Sequence, residues 1–206
     1  MSKIIIAGEI GINHNGSLDI AKKLVLGAKE AGADLVKFQK RSINHTYSQT
    51  ELDKLRESPW GMTNREQKFG LEFTEAQYDE IDRYSKEINL PWFASAWDLP
   101  GVEFLKKYDL PCNKIASALL THFPLLQAIA EQQKLTYLST GMSTIEEISA
   151  AIKIFDFNKC PIVLMHCNSQ YPCPENKANL RCIKTLYNEF GVKAGYSSHC
   201  VGIVDC

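Results

Sequence analysis

Short apolar runs alternate along this chain with stretches of helical periodicity, and they predict strands at roughly residues 3 to 9, 34 to 39, 91 to 96, 112 to 117, 135 to 140, 161 to 167 and 192 to 197. Seven strands that alternate with helices from end to end indicate a parallel sheet of βα units, an α/β fold. The helices carry start and stop signals. Ser17 precedes Ile20, Ala21, Leu24, Val25 and Ala28 at helical spacing, and Gly32 follows as a C′ residue. Thr74 with Gln77, and Ser143 with Glu146, have the spacing of a capping box ahead of apolar stripes. Gly191 ends the helix that holds Leu180, Ile183, Leu186 and Phe190. The connection from 40 to 73 breaks the rhythm, since βα loops need only about 2–6 residues. A short helix is expected near 51 to 57. Trp60, Met62 and Phe69 either close over a ligand as a lid or pack as a helical excursion, and the pattern leaves both readings open.

The strands end in polar, cationic or imidazole residues: LVKFQ, CNKIAS, LTYLSTG, PIVLMHCNS and KAGYSSH. Lys37, Lys114, Ser117, Ser139, His166, Ser169, Ser197 and His199 each follow an apolar or small run, as if carried by buried strands to one rim. A lysine inside an apolar strand is costly unless an anion meets it or its stem snorkels to water. Two such lysines point to a phosphate or carboxylate site. Ser117, Ser139 and Thr140, with the backbone donors of STGMS, add neutral donors to it. Glu9, after IIIAG, either moves protons or forms an ion pair with one of the lysines. His14 in GINHNG reads as a turn residue. Neutral imidazole is a common ligand for divalent metals. His199, flanked by Ser198 and just after Ser197, reads as such a ligand, whereas Met165 and Cys167 beside His166 favour burial.

At 206 residues with 45% hydrophobic side chains the chain supports one sizeable core, so a single domain over 1–206 is expected. The 23 basic side chains balance 24 acidic ones, which leaves no global field for nucleic acid or an anionic membrane. No apolar stretch approaches the ~18 residues of a membrane span, and Glu9 breaks the apolar run of MSKIIIAGEI, so a cytoplasmic protein is expected. Seven cysteines, an odd number without CxxC spacing, read as reduced thiols. The same lack of paired spacing counts against a zinc site made of His166, Cys167, Cys173, His199 and Cys200. Cys167 and Cys200 instead read as small hydrophobes packed along their strands.

The segments EIGINHNGSLDIA, AGADLVKFQ, TNREQK to LEFTEAQYDEID, KIAS, LSTGMSTIEEI, HCNSQYPCPENKANLR and GYSSHCVGI, in this order, resemble the sialic acid (N-acetylneuraminate) synthase family nearly from end to end. The resemblance implies a TIM-type (β/α)8 barrel. It also implies condensation of phosphoenolpyruvate with an N-acetylated sugar, such as N-acetylmannosamine, into a nine-carbon 2-keto sugar acid with release of phosphate. By motif, Lys37 and Lys114 would grip phosphoenolpyruvate, Ser117, Ser139 and Ser197 would hydrogen-bond to it, and Glu9 would assist proton transfer. Ser169 takes a substrate-binding position where some members have asparagine. His199 would bind a divalent metal, Mn2+ or Mg2+, that polarises the sugar aldehyde. Two further departures are Ala96 in place of threonine and Ser198 in place of aspartate or glycine. The family continues past GIVDC through an eighth strand with a second metal-binding histidine and an antifreeze-like domain. The expectation is therefore an incomplete barrel with seven of eight strands, assembled as a homodimer or completed by another chain. A non-catalytic ligand-binding or assembly subunit is the alternative, and another metal-dependent barrel aldolase a third reading.

Overall fold

In the computed structural model, which describes residues 4–202, the chain divides into two units, Met1–Pro111 and Cys112–Cys206. Each is built from parallel strands with helices between them. The first unit runs β1 (Ala7–Gly11), α1 (Leu18–Glu30), β2 (Leu35–Lys40), α2 (Ile43–Thr46), α3 (Gln49–Leu52), β3 (Leu55–Ser58), β4 (Gly61–Thr63), α4 (Asn64–Leu71), α5 (Glu75–Glu87), β5 (Trp92–Ala96) and α6 (Leu99–Leu105). Its main strands lie in the order β1-β2-β5, all parallel.

β1 begins later than the apolar pattern predicts. Ile4, Ile5 and Ile6 are exposed, and pairing starts at Ala7 because Leu35 opens β2 opposite it. Glu9 therefore sits in mid-strand opposite Lys37, with an irregularity before Gly11. Ser17 caps α1 by accepting from Ile20 N at 3.3 Å, and α1 buries Ala21 and Val25. Thr74 and Gln77 form the expected capping box of α5, whose Tyr78 sits in an aromatic cluster with Phe73, Trp92, Phe104 and Tyr108. Full burial of one such ring stabilises a fold by about 1.5–3 kcal/mol.

The long connection is folded throughout. Instead of one helix over 51 to 57, Ser48 caps α3, which stops at Leu52, and Leu55–Ser58 turns back as an antiparallel hairpin with Gly61–Thr63. Trp60 packs on α4 so closely that a Cβ at Gly70 would lie 2.1 Å from its ring. That contact belongs to the packed excursion, while Met62 and Phe69 stay exposed.

The second unit runs β6 (Asn113–Ile115), α7 (Phe123–Ala130), β7 (Thr136–Ser139), α8 (Ile145–Phe157), β8 (Ile162–Cys167), α9 (Arg181–Phe190) and β9 (Ala194–Ser197). The strands lie in the order β6-β7-β8-β9, all parallel. Between α7 and α8, β7 is buried through Thr136, Leu138 and Ser139. The capping box of α8 is Thr144 with Glu147, one residue later than the sequence spacing suggests. The shift arises because Ser143 is spent in a turn, its N–H donating to Thr140 O at 3.3 Å. Gly191 closes α9 in the left-handed region at φ 66°, as expected. The six described cysteines are free thiols, and Cys206 lies outside the described residues. Among the described residues no helix is long and apolar enough to cross a membrane.

Candidate functional site

Lys114 is central to the second unit. It lies in the middle of β6 with only 7% of its surface exposed, and β7 brings Ser139 onto the same face because Lys114 pairs with Tyr137. Its ammonium donates to Ile115 O at 2.8 Å and to Ser139 Oγ. Both acceptors are neutral oxygens. An ammonium this deep is costly unless its charge is met, which makes Lys114 the candidate cation of the site.

Just beyond β7 the chain turns through Gly141, whose N–H donates to Ser117 Oγ at 3.1 Å. A Cβ at Gly141 would come within 2.5 Å of Ser169 Oγ, 2.7 Å of Cys167 O and 2.9 Å of Ser117 Oγ. Only glycine fits there. The close approach gathers two of the candidate serines, from the ends of β6 and β8, around the turn after β7. The Thr140 N–H and hydroxyl both donate to Met165 O and fix that turn against β8.

Ser197 ends β9 opposite Cys167, and this register sets Cys167 against His199. The thiol lies 3.8 Å from Nδ1 and 3.9 Å from Nε2 of the ring. Burial raises the Cys167 pKa, but the His199 contact, with help from Ser117 and Lys114, brings it below the usual thiol value. Cys167 is buried, as expected of a packed thiol, and it also touches the His199 ring. His199 Nδ1 lies 2.6 Å from Asn168 O, which assigns the proton to that nitrogen, and Nε2 faces the Tyr171 hydroxyl. His166 is turned to other work, with Nε2 2.7 Å from Ala178 O and its ring stacked on Tyr196. His166 is only half-buried, short of the burial expected of it, and the two histidines are used separately.

In the first unit Glu9 and Lys37 form an ion pair at 2.7 Å, and Lys37 also approaches Ser95 Oγ at 3.3 Å. Of the two readings of Glu9, the ion pair is the one present. His14 occupies a turn, as expected, but it is buried and stacked on Phe73 at 4.0 Å. Burial lowers its pKa to about 4, against a smaller opposing effect of the Gly11 backbone hydrogen bond.

The metal expectation was tested against the donors present. Among the described residues no three His, Cys, Asp or Glu side chains gather into a ligand group. His199 and Cys167 offer one imidazole and one thiol, whereas Mg2+ and Mn2+ favour oxygen donors. The described residues do not make up a Mn2+ or Mg2+ site. Cys173 and Cys200, two of the residues weighed for zinc, meet across a parallel backbone bridge.

Sequence reasoning named Lys114 and the serines but missed the contact of Cys167 with His199 and the tilted packing of Tyr171 against that ring, with centroids 3.8 Å apart. Tyr171 in NSQYP lies five residues after His166, and only the return of the loop towards β9 reveals its role.

The family model of NeuB matches residues 24–206. The chain is 35% identical to an N-acetylneuraminate-9-phosphate synthase of Drosophila melanogaster over 99% of its own length and 56% of the relative's. It is 34% identical to an N,N'-diacetyllegionaminic acid synthase of Campylobacter jejuni over 98% of its length and 63% of that protein's. The chain thus spans little more than half the length of these curated relatives. Among solved structures, the N-acetylneuraminic acid synthetase of Leptospira borgpetersenii, crystallised with citrate, matches with a TM-score of 0.84 at 29% identity. That match covers 98% of this chain and 67% of the other. The fold class is α/β, that of TIM-type barrels, with seven parallel strands among the described residues.

Proposed function

Because the chain belongs to the NeuB family, we propose that it condenses phosphoenolpyruvate with an N-acetylated sugar to give a sialic or other nonulosonic acid and phosphate. C3 of phosphoenolpyruvate forms the new bond to the aldehyde carbon of the open-chain sugar, and the aldehyde oxygen takes up a proton. Water then adds at C2, and phosphate leaves by cleavage of its bond to that carbon.

The observation that carries this reading is the buried Lys114 ammonium beside Ser139, with Ser117 and Ser169 gathered at Gly141. A fixed cation with convergent hydroxyls suits the phosphate and carboxylate of phosphoenolpyruvate and stabilises charge that grows on the departing phosphate. Ser197, at the neighbouring strand end, completes the donors assigned by motif. Lys37 and Glu9 take their roles from the same motifs. Lys37 binds the anion, and Glu9 exchanges its ion pair for proton transfer.

A requirement for Mn2+ or Mg2+ is part of the proposal by motif alone, through His199, whose Nδ1 is held by Asn168 O and whose Nε2 meets the Tyr171 hydroxyl. None of the steps assigned to the side chains depends on that ion. Which acceptor is used stays within the class spanned by relatives named for N-acetylneuraminate-9-phosphate and for diacetyllegionaminic acid. A cytoplasmic location agrees with the free thiols. Assembly as a homodimer is read by light scattering on the purified protein.

The test is a calorimetric titration with phosphoenolpyruvate, followed by phosphate release with sugar and Mn2+ added. Wild type binds, Lys114→Ala loses the binding while remaining folded, and release requires all three additions. Equal binding by both proteins would overturn the role of Lys114. Binding without release under any sugar would point to a ligand-binding subunit instead.

A further inference from the structure

A second concentration of positive charge lies within the first unit, where β2 ends. A cavity of about 50 Å3 there is lined in part by Gln39, Arg41, Tyr47, Lys68 and Glu72. At roughly 10–15 Å3 for each water, it holds about three to five, the size of one tetrahedral oxyanion. Arg41 follows directly on β2, and its guanidinium stacks on Trp97 at 4.1 Å. Its Nε is buried and has no hydrogen-bond partner. A buried, unpartnered donor on a cation is uncommon in folded proteins and calls for an acceptor. Lys68 lies across the Tyr47 ring at 5.2 Å. Burial lowers its pKa, and the nearby charges of Arg56 and Arg41 lower it further, the mark of local excess positive charge.

The one carboxylate lining the cavity is already committed. Glu72 pairs with Lys40 at 2.6 Å and accepts from Arg41 N at 3.2 Å. Glu51, the acid whose charge acts on Lys68, pairs with Lys54. His14, also on the cavity wall, is neutral because burial lowers its pKa to about 4. The positive charge that remains is that of Arg41 and Lys68, with Tyr47 and Gln39 as neutral partners.

We propose that this cavity is an oxyanion subsite for a phosphate monoester. The phosphate is either that of a phosphorylated acceptor sugar, which rests on the condensation proposed above, or free inorganic phosphate. The test titrates the full chain with inorganic phosphate in a Lys37→Ala, Lys114→Ala background, which removes both lysines assigned to phosphoenolpyruvate. One equivalent binds. Adding Lys68→Gln, a half-buried position whose change leaves the circular dichroism intact, weakens binding roughly tenfold to a hundredfold, and Arg41→Gln does the same. Absence of phosphate binding in the Lys37→Ala, Lys114→Ala protein, or binding indifferent to both further substitutions, would overturn the subsite. The sources separate in a second arm. If the phosphate is the sugar's, an N-acetylhexosamine 6-phosphate outcompetes inorganic phosphate, and Lys68→Gln abolishes that advantage. If it is free phosphate, the two compete equally and both weaken in Lys68→Gln. Failure of condensation with phosphate binding intact would leave the subsite standing.

Discussion

A methyl group at Gly141 would overlap Ser169 Oγ, the Cys167 carbonyl and Ser117 Oγ at once. Two of these are hydroxyls that can rotate, but the third is backbone, so the turn itself has to move. Gly141→Ala is expected to destabilise the protein by about 1–3 kcal/mol in urea unfolding and to weaken phosphoenolpyruvate binding in the folded fraction. Normal affinity with normal stability would show that the turn is not under this constraint. His14 gives a pH test at the same scale. Its folded-state pKa of about 4 lies below the ~6.5 of a free imidazole, so the unfolded chain takes up the proton first. The stability due to keeping His14 neutral is fully present above pH ~6.5 and is lost as the pH falls towards about 4. A melting temperature that drops across this window in wild type, and less steeply in His14→Gln, is the expected result. Equal slopes would place the titration elsewhere. Lys114 was legible in the sequence because a lysine in an apolar strand is conspicuous on its own. The Cys167–His199 contact was not, because it depends on the pairing of Cys167 with Ser197 across two strands.

At the level of elements, apolar periodicity located the main strands and capping chemistry located the helix starts, with errors of a few residues that have physical causes. The run Ile4 to Ile6 looks like the heart of a strand, yet β1 pairs only from Ala7, since strand bounds follow the partner's register and not apolarity alone. In α8 the sequence offers two overlapping boxes, Ser143 with Glu146 and Thr144 with Glu147, and only the turn between Ser143 and Thr140 decides between them. The decision can be measured. Thr144→Ala should cost about 1 kcal/mol, within the usual 0.5–2 for a lost cap, whereas Ser143→Ala should cost much less. The reverse order in denaturant midpoints would restore the earlier cap. The hairpin Leu55–Ser58 with Gly61–Thr63 was not legible, because strands of four and three residues carry too little alternation to stand out from a loop.

Across the whole molecule, the near balance of 23 basic and 24 acidic side chains means that any anion affinity is local, and the cysteines report how the chain is packed around those local sites. Cys112, Cys160, Cys167 and Cys173 are buried, while Cys182 and Cys200 are half-buried. The thiolate is the reactive form, and burial pushes Cys112 up to about 12 and raises Cys160 as well, so both stay protonated at neutral pH. Cys167 has the opposite tendency, with His199 favouring its thiolate, but only 6% of its surface is open to reagent. Among the described thiols, Cys182 and Cys200 should therefore react first with an aromatic disulfide reagent under native conditions. Peptide mapping after a short exposure reads this directly. In guanidinium without reductant the count should rise to all seven thiols of the chain. A lower count would reveal a disulfide and argue against a reducing compartment, whereas rapid native labelling of Cys112 would mean that β6, and with it the setting of Lys114, opens far more readily than its burial implies.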